Sequence, residues 1–329
     1  MDKKLKSHIL LVREWGRDLG FNLEIGKCLE EHYGNENVEI IVIPNNANIV
    51  NFFSQLISEK KPLRIYMDTR IFIVDATLYS LTGHLIDVSI VNRILNSAGI
   101  IPVCICTDAQ QPGFILVAEL LIRNTGILIN IGSESTQHKF SDEIGIGTTF
   151  NPISYGTGLL LKSSTTKKSK NVYLGGNMYE PRKSYFNKVA LELSMSGVSV
   201  DILPKKANRY IDYLKEMSEF KIILNTNFIY GPETVQMVGR NIESLHVGSL
   251  LLTQNTPILQ RFFTEGVHYI DVGLPSDAAV KIIYYLMNPA EASRIALAGQ
   301  EKALQYARDQ IFLNLVNLKI NQSLLGGIK

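Results

Sequence analysis

Short apolar runs rich in β-branched residues alternate with longer segments of helical periodicity along the whole chain. In the first half, strands are predicted at residues 9–12, 38–43, 63–65 with 71–74, 101–105 and 127–131. Helices are predicted between them at residues 22–32, 49–60, 85–97 and 114–123. Because short buried strands separated by helices are typical of βαβ units, this pattern predicts a doubly wound parallel sheet.

The same alternation starts again after a polar segment, residues 163–170, which contains no apolar side chain. Strands are predicted at residues 171–174, 198–203, 220–224, 250–253 and 268–272. Helices are predicted from the turn at residues 175–176 to residue 193, at residues 211–217 and at residues 276–287. Three more are predicted by one end only: one ends at residue 245, one begins near residue 257 and one begins at residue 290. The polar segment fits a solvated linker, although its lysines also suit contact with a phosphate.

We therefore predict two Rossmann-like α/β domains. Residues 1–165 form the first and residues 166–306 the second, and a last helix at about residues 307–329 packs back on the first. A length of 329 residues favours the same division, since single cores stop growing near ~250–300 residues. Two such domains in tandem leave a cleft between the carboxyl ends of their strands, where ligands bind.

Composition and charge exclude several classes of protein. Hydrophobic residues make up 46% and charged residues 19% of the chain, as in globular proteins and unlike disordered ones. The formal net charge of +2 is too small for non-specific attraction to nucleic acid or anionic lipid. The first apolar segment is too short for a signal peptide or a membrane span.

The three cysteines argue against a disulfide framework. Cys28, Cys104 and Cys106 are an odd number in a long chain, which favours a reducing compartment, and we expect a cytoplasmic protein. Cys104 and Cys106 fit a buried pair of thiols better than a metal site, because a second ligand pair at zinc-site spacing is missing.

One helix of the second half combines a cation and a carboxylate that can carry chemistry. Arg240 and Glu243 lie three residues apart and therefore share a helix face. An arginine there can bind a diphosphate, and a carboxylate can accept hydrogen bonds from a ribose diol. On spacing alone, however, a surface ion pair within one helix turn is the favoured interpretation.

The order of motifs around this helix resembles a known family. The motifs come in the order R-x-x-E-x-x-x-x-G, an apolar strand, F-x-x-G, Y-L-x-x-P-x-E and I-A-x-x-G. Arg240, Glu243 and Gly248 form the first motif, and Phe263 and Gly266 form F-x-x-G. The last two motifs lie in the segment 285–299. This pattern resembles the nucleotide-binding domain of GT-B glycosyltransferases, and within them the CgeB-like spore-maturation enzymes. The resemblance covers about the last third of the chain, with weaker similarity at residues 172–176 and Arg182.

The resemblance implies a donor site in the second domain. It assigns Glu243 to the ribose and Arg240 to the diphosphate of a nucleoside diphosphate sugar, a UDP-sugar first of all, with Ser244 beside them. Arg182 and the amides of Gly175 and Gly176 before a helix are expected to bind the diphosphate as well. Such enzymes use these cations in place of a metal, so neither a metal nor another cofactor is expected.

Val235 stands where related retaining enzymes carry a second glutamate, eight residues before the ribose ligand, and Glu233 is two residues off that position. The stereochemical outcome of the transfer therefore stays open.

Candidates for a general base lie in the first half. Asp108 follows the apolar run 101–106, so its carboxylate is expected at the ligand-binding edge of the sheet, either as a base for the acceptor hydroxyl or as a helix N-cap. Phage DNA β-glucosyltransferases, also GT-B enzymes, show a loosely similar Thr-Asp. Asp18 is the competing base, and Trp15 either stacks on a sugar or belongs to an ordinary surface loop.

The expected function is thus a glycosyltransferase that moves a sugar from a nucleoside diphosphate sugar to an acceptor. A glycan, a protein or a small molecule fits the acceptor better than modified DNA. A sugar-nucleotide epimerase of the same fold is one alternative. A non-catalytic sugar- or nucleotide-binding protein is the other.

Overall fold

The computed structural model describes residues 7–14, 20–72, 81–106, 112–123, 126–130, 148–150, 168–175, 178–202, 209–227, 237–308, 313–314, 316–318 and 321. Backbone contacts divide the chain into two compact units. Unit 1 comprises Met1–Tyr155 with Gln310–Lys329, and unit 2 comprises Gly156–Asp309. Each unit is built around its own parallel sheet with flanking helices.

Unit 1 alternates strands and helices in the predicted order. Its strands are β1 (His8–Arg13), β2 (Val38–Ile43), β3 (Arg64–Asp68), β4 (Ile101–Cys106), β5 (Ile127–Asn130) and β6 (Thr148–Phe150). Its helices are α1 (Gly20–Tyr33), α2 (Ile49–Lys60), α3 (Leu81–Ser97) and α4 (Pro112–Ile122). The sheet order is β2-β1-β3-β4-β5-β6, with every pair parallel. All six residues of β1 are buried, because helices cover both faces of a central parallel strand.

One strand prediction in unit 1 is wrong in part. Residues 71–74 were expected to extend the third strand, but Thr69–Phe72 is a short 3-10 helix, and residues 73–74 lie outside the described ranges. The Asp68 carboxylate accepts a hydrogen bond from the Arg70 amide at 2.7 Å and pairs with its guanidinium at 2.9 Å. A side chain that bonds the backbone two residues ahead forms a turn, which ends β3 at Asp68.

Unit 2 reproduces the predicted elements more closely. Its strands are β7 (Lys170–Leu174), β8 (Val200–Ile202), β9 (Phe220–Leu224), β10 (Leu250–Thr253) and β11 (Ile270–Asp271), in the order β11-β10-β9-β7-β8. Its helices are α5 (Arg182–Met195), α6 (Tyr210–Ser218), α7 (Gly239–His246), α8 (Pro257–Phe262), α9 (Pro275–Met287) and α10 (Pro289–Arg308).

Specific contacts hold the chain just before β7 and just after α10. Lys168, at the end of the polar segment, is partly buried within unit 2, where its Nζ donates to Val247 O at 2.8 Å and Ser249 Oγ at 2.9 Å. Burial lowers the pKa of this amine to about 8. Beyond α10, Leu313 and Val316 are buried in the core of unit 1 beside β1.

Candidate functional site

The strand order of unit 2 indicates where a ligand site is expected. The chain passes from β7 to β8 on one side and then to β9 on the other, so neighbouring connections diverge between β7 and β9. In open α/β sheets, ligands bind at this divergence, outside the carboxyl ends of the strands. Leu174 and Leu224 end these two strands, so the residues that follow them form the expected site.

Gly175 follows β7 directly and has no room for a side chain. An added Cβ would lie 2.8 Å from Arg240 Cδ and closer still to the Tyr173 ring. The Gly175 amide donates to Leu224 O at 3.3 Å, so it extends the sheet instead of facing an anion as expected. Its contribution is the space in which the stem of Arg240 lies. Gly176 lies outside the described residues.

Arg240 and Glu243 lie in the first two turns of α7, as predicted, and tyrosines of α6 connect them. Arg240 Nε donates to Tyr213 Oη at 2.8 Å, and Tyr213 Oη lies 3.0 Å from Glu243 Oε2, to which it donates. Tyr210 Oη donates to the second carboxylate oxygen, Oε1, at 2.9 Å. The arginine and the glutamate therefore meet through a hydroxyl group, and a direct ion pair within the helix is not the observed arrangement.

Charge and burial shape the protonation of this cluster. Burial alone would lower the pKa of Arg240, but Tyr213 and Glu243 outweigh it and the net shift is upward. Burial raises the pKa of Tyr213 well above its ordinary value. At neutral pH the cluster thus holds the guanidinium of Arg240 and the neutral phenol of Tyr213.

Arg182, the first residue of α5, brings a second cation to the same place. It is 4% exposed; its Nε donates to Thr226 Oγ1 at 2.9 Å and its Nη2 to Thr226 O at 3.1 Å, just beyond β9. Burial and the nearby positive charge of Arg240 both lower its pKa, and only Tyr179 opposes them. Two arginines that repel each other at the end of a sheet favour binding of an anion.

Buried amides that the sequence reasoning missed fix the start of α7 against the sheet. Asn225 donates to Asn241 at 2.5 Å, and Asn241 donates to Asn227 Oδ1 at 2.8 Å. Asn227 in turn donates from Nδ2 to Gln254 O at 2.6 Å. The run Asn225-Thr226-Asn227 directly after an apolar strand was the available signal, because polar residues at that edge face the site.

Two further side chains on α7 point into the protein. Ser244 is fully buried, and its hydroxyl donates to Arg240 O at 2.6 Å, one turn earlier in the helix. Its donor is thus used within α7. His246, in the last turn, is 2% exposed, and burial lowers its pKa to about 4. Both residues pack α7 in place.

Unit 1 places an arginine at the corresponding edge of its own sheet. Arg13 ends β1 and is 2% exposed. Its Nε donates to Ile71 O at 2.8 Å, and its Nη1 donates to Pro44 O at 2.5 Å and Asn45 O at 3.3 Å. The other predicted residues of this half, Trp15, Asp18 and Asp108, lie outside the described residues, as do Glu233 and Val235 in unit 2. Their roles stay predictions.

The described ranges contain no group of three or more His, Cys, Asp or Glu side chains placed to hold a metal ion. Within the same ranges, no helix combines the length and the apolar character needed to cross a membrane. Cys28, Cys104 and Cys106 are buried and unbridged.

Comparison with solved structures identifies the architecture. HepE (Alr3699) of Anabaena, in complex with UDP and glucose, superimposes with a TM-score of 0.60 at 14% identity, covering 95% of this chain and 100% of that one. Sucrose-phosphate synthase from Thermosynechococcus elongatus gives a TM-score of 0.62 at 10% identity, covering 97% and 100%. A glycosyltransferase from Rickettsia africae gives 0.56 at 10% identity, covering 98% and 99%. The chain has the GT-B fold.

Sequence comparison adds a family match for one of the two units. Residues 161–310 match the family described as glycosyl transferase-like. No curated protein sequence matches the chain. The predicted GT-B fold with two Rossmann-like sheets is confirmed, and the family match falls on the unit that contains Gly175, Arg182, Arg240 and Glu243.

Proposed function

We propose that the protein is a metal-independent glycosyltransferase that uses a UDP-sugar as donor. The observation that carries this proposal is the convergence of Arg240, Arg182 and Glu243 on the divergence point of the unit 2 sheet. The family match of residues 161–310 supports it. HepE, described in complex with UDP and with UDP-glucose, supports the choice of donor.

In this proposal Arg240 and Glu243 bind different parts of the donor. Arg240 uses only Nε for hydrogen bonds within the described chain, so Nη1 and Nη2 are available to the diphosphate. Glu243 accepts from the ribose diol through the lone pairs that its tyrosine partners leave open. Arg182 contributes a second positive charge, and hydrogen bonds to Thr226 hold its guanidinium in place.

In the proposed chemical step, UDP is the leaving group. The acceptor hydroxyl oxygen forms a bond to the anomeric carbon of the sugar while the bond from that carbon to the diphosphate oxygen breaks. Negative charge grows on the departing UDP, and two preorganised cations stabilise it most at that moment. Asp108 takes the acceptor proton, and Asp18 is the next candidate for this role. The motif order of unit 2 favours a CgeB-like enzyme, whose acceptor is a glycan, a protein or a small molecule.

The decisive experiment compares Glu243→Ala with Glu301→Ala, which removes an exposed carboxylate of α10 in the same unit. Calorimetry with UDP and UDP-glucose should show an affinity loss of about tenfold or more for Glu243→Ala, since it loses hydrogen bonds to a charged group. Glu301→Ala should bind as the wild type does. Equal affinity in both variants would remove Glu243 from the site.

Incubation with UDP-sugars then distinguishes the alternatives. A glycosyltransferase releases UDP slowly by hydrolysing its donor when no acceptor is present. An epimerase converts the donor to an isomer, and a binding protein leaves it unchanged. Either of the last two results would overturn the proposed activity while leaving the nucleotide site in place.

A further inference from the structure

We propose that Tyr210 and Tyr213 are positioning residues for the nucleotide-binding pair Arg240 and Glu243, and this inference rests on the proposed function. Both hydroxyls bond the carboxylate of Glu243, one on each oxygen, at 2.9 and 3.0 Å. Tyr213 also accepts from Arg240 Nε at 2.8 Å. Tyrosines of one helix thus orient the two charged side chains of another.

The hydrogen-bonding capacity of the carboxylate shows why this arrangement suits a diol. An ionised carboxylate has about four acceptor positions, two on each oxygen. The tyrosines occupy one position on each oxygen, and no other donor among the described residues bonds the carboxylate, so one position remains on each oxygen. Two acceptors on adjacent oxygens match the two adjacent hydroxyls of a ribose. The tyrosines therefore select the orientation of the carboxylate without blocking its ligand side.

Tyr213 also keeps the two charges of α7 from pairing directly. Arginine and glutamate three residues apart on a helix ordinarily reach each other. Here the Tyr213 hydroxyl stands between them, accepting from one and donating to the other. Nη1 and Nη2 of Arg240 are left without hydrogen bonds in the described part of the chain, and the fork stays available for a diphosphate.

The tyrosines are themselves held in place. They lie three residues apart in the first turn of α6, with ring centroids 5.9 Å apart and planes at 28°. Leu214 and Met217 anchor the same helix in the core below β9. A binding-site side chain whose rotamer is already fixed by packing and hydrogen bonds loses less conformational entropy when the ligand binds.

The test compares how well each variant distinguishes ribose from deoxyribose. Affinities for UDP and 2′-deoxy-UDP are measured by calorimetry on the wild type, Tyr210→Phe and Tyr213→Phe. We expect the wild type to favour UDP, and each variant to reduce this preference by about 3- to 10-fold. Tyr213→Phe should also weaken UDP binding more than Tyr210→Phe does, because only Tyr213 bonds Arg240.

Tyr284→Phe is the matched control, since it removes a tyrosine–glutamate hydrogen bond of 2.9 Å elsewhere in unit 2. Thermal unfolding of all variants shows whether each is folded, and Tyr210→Phe carries the test if Tyr213→Phe is not. An unchanged UDP to 2′-deoxy-UDP ratio in the folded variants, or tighter UDP binding by them, would overturn the positioning role while the donor site stands. A wild type that binds UDP without any preference for the ribose would instead refute the role of Glu243, and the inference with it.

Discussion

Substituting Gly175 by alanine tests whether the end of β7 must stay clear for Arg240. The added Cβ would lie 2.8 Å from Arg240 Cδ and closer to the Tyr173 ring. Arg240 is hydrogen-bonded to Tyr213, and Tyr173 belongs to the apolar cluster against which Tyr213 packs. Overpacking of this kind costs about 1–3 kcal/mol of folding free energy. If Arg240 moves aside instead, the cost appears as weaker UDP binding.

Gly273→Ala is the matched control within unit 2. Gly273 is exposed, and a Cβ there would meet no atom nearer than Asp277 Oδ2 at 3.9 Å. Its effect should stay within about 0.5 kcal/mol, as for most surface substitutions. Urea unfolding gives the stability of both variants, and calorimetry gives their affinity for UDP.

A double-mutant cycle separates the two neighbours of Gly175. If the contact with Arg240 causes the loss, Gly175→Ala and Arg240→Ala should be strongly non-additive in unfolding free energy. A Gly175→Ala variant with the stability and UDP affinity of the wild type would refute the reasoning, because the structure leaves that carbon no space.

Three further predictions concern single groups. Arg240→Ala should strongly reduce donor turnover, measured as UDP release, while the protein stays folded. Arg240→Lys should restore only part of the turnover, because a point charge lacks the planar fork of a guanidinium. Full activity of the alanine variant would contradict this prediction. Asp108→Asn should lower the transfer rate ~10²–10⁴-fold with donor affinity kept if Asp108 is the base, whereas a helix cap would tolerate asparagine. The pKa of His246 is lowered by burial to about 4 from an unfolded value of 6.5. Its contribution to stability is therefore complete above pH 6.5 and is lost as the pH falls toward 4, by about 3 kcal/mol. The difference in unfolding free energy between wild type and His246→Gln should change over this range, and a constant difference would contradict it.

The strands of unit 2 could be predicted to within two residues at each end, because buried parallel strands are continuous apolar runs. The strand predicted at residues 220–224 is observed as β9, Phe220–Leu224. The end of β3 in unit 1 was harder to predict. A hydrogen bond from the Arg70 amide to the Asp68 side chain ends this strand, and the apolar pattern does not show it.

The site could be predicted only in part for a similar reason. Helical periodicity places Arg240 and Glu243 on one face of α7. It contains no information on Tyr210 and Tyr213, which lie about 30 positions earlier in the chain and reach the pair only through tertiary packing. A Gly-Gly turn after a strand suggests an anion-binding amide, but pairing with Leu224 O uses the amide of Gly175.

The residue at the end of the first strand differs between the two sheets, at the place where sheets of this kind bind nucleotides. Both sheets place their first strand beside their second and third, so β1 and β7 are topological equivalents. At the end of β1, the side chain of Arg13 spans to carbonyls beyond β2 and β3 and plugs the crevice with a guanidinium. At the end of β7, Gly175 carries no side chain, and the stem of Arg240 from α7 lies in the space beside it. In unit 1 an arginine thus joins the carbonyls beyond the two neighbouring strands, whereas in unit 2 a glycine at the equivalent position admits an arginine from α7, whose Nη1 and Nη2 make no hydrogen bond within the described residues.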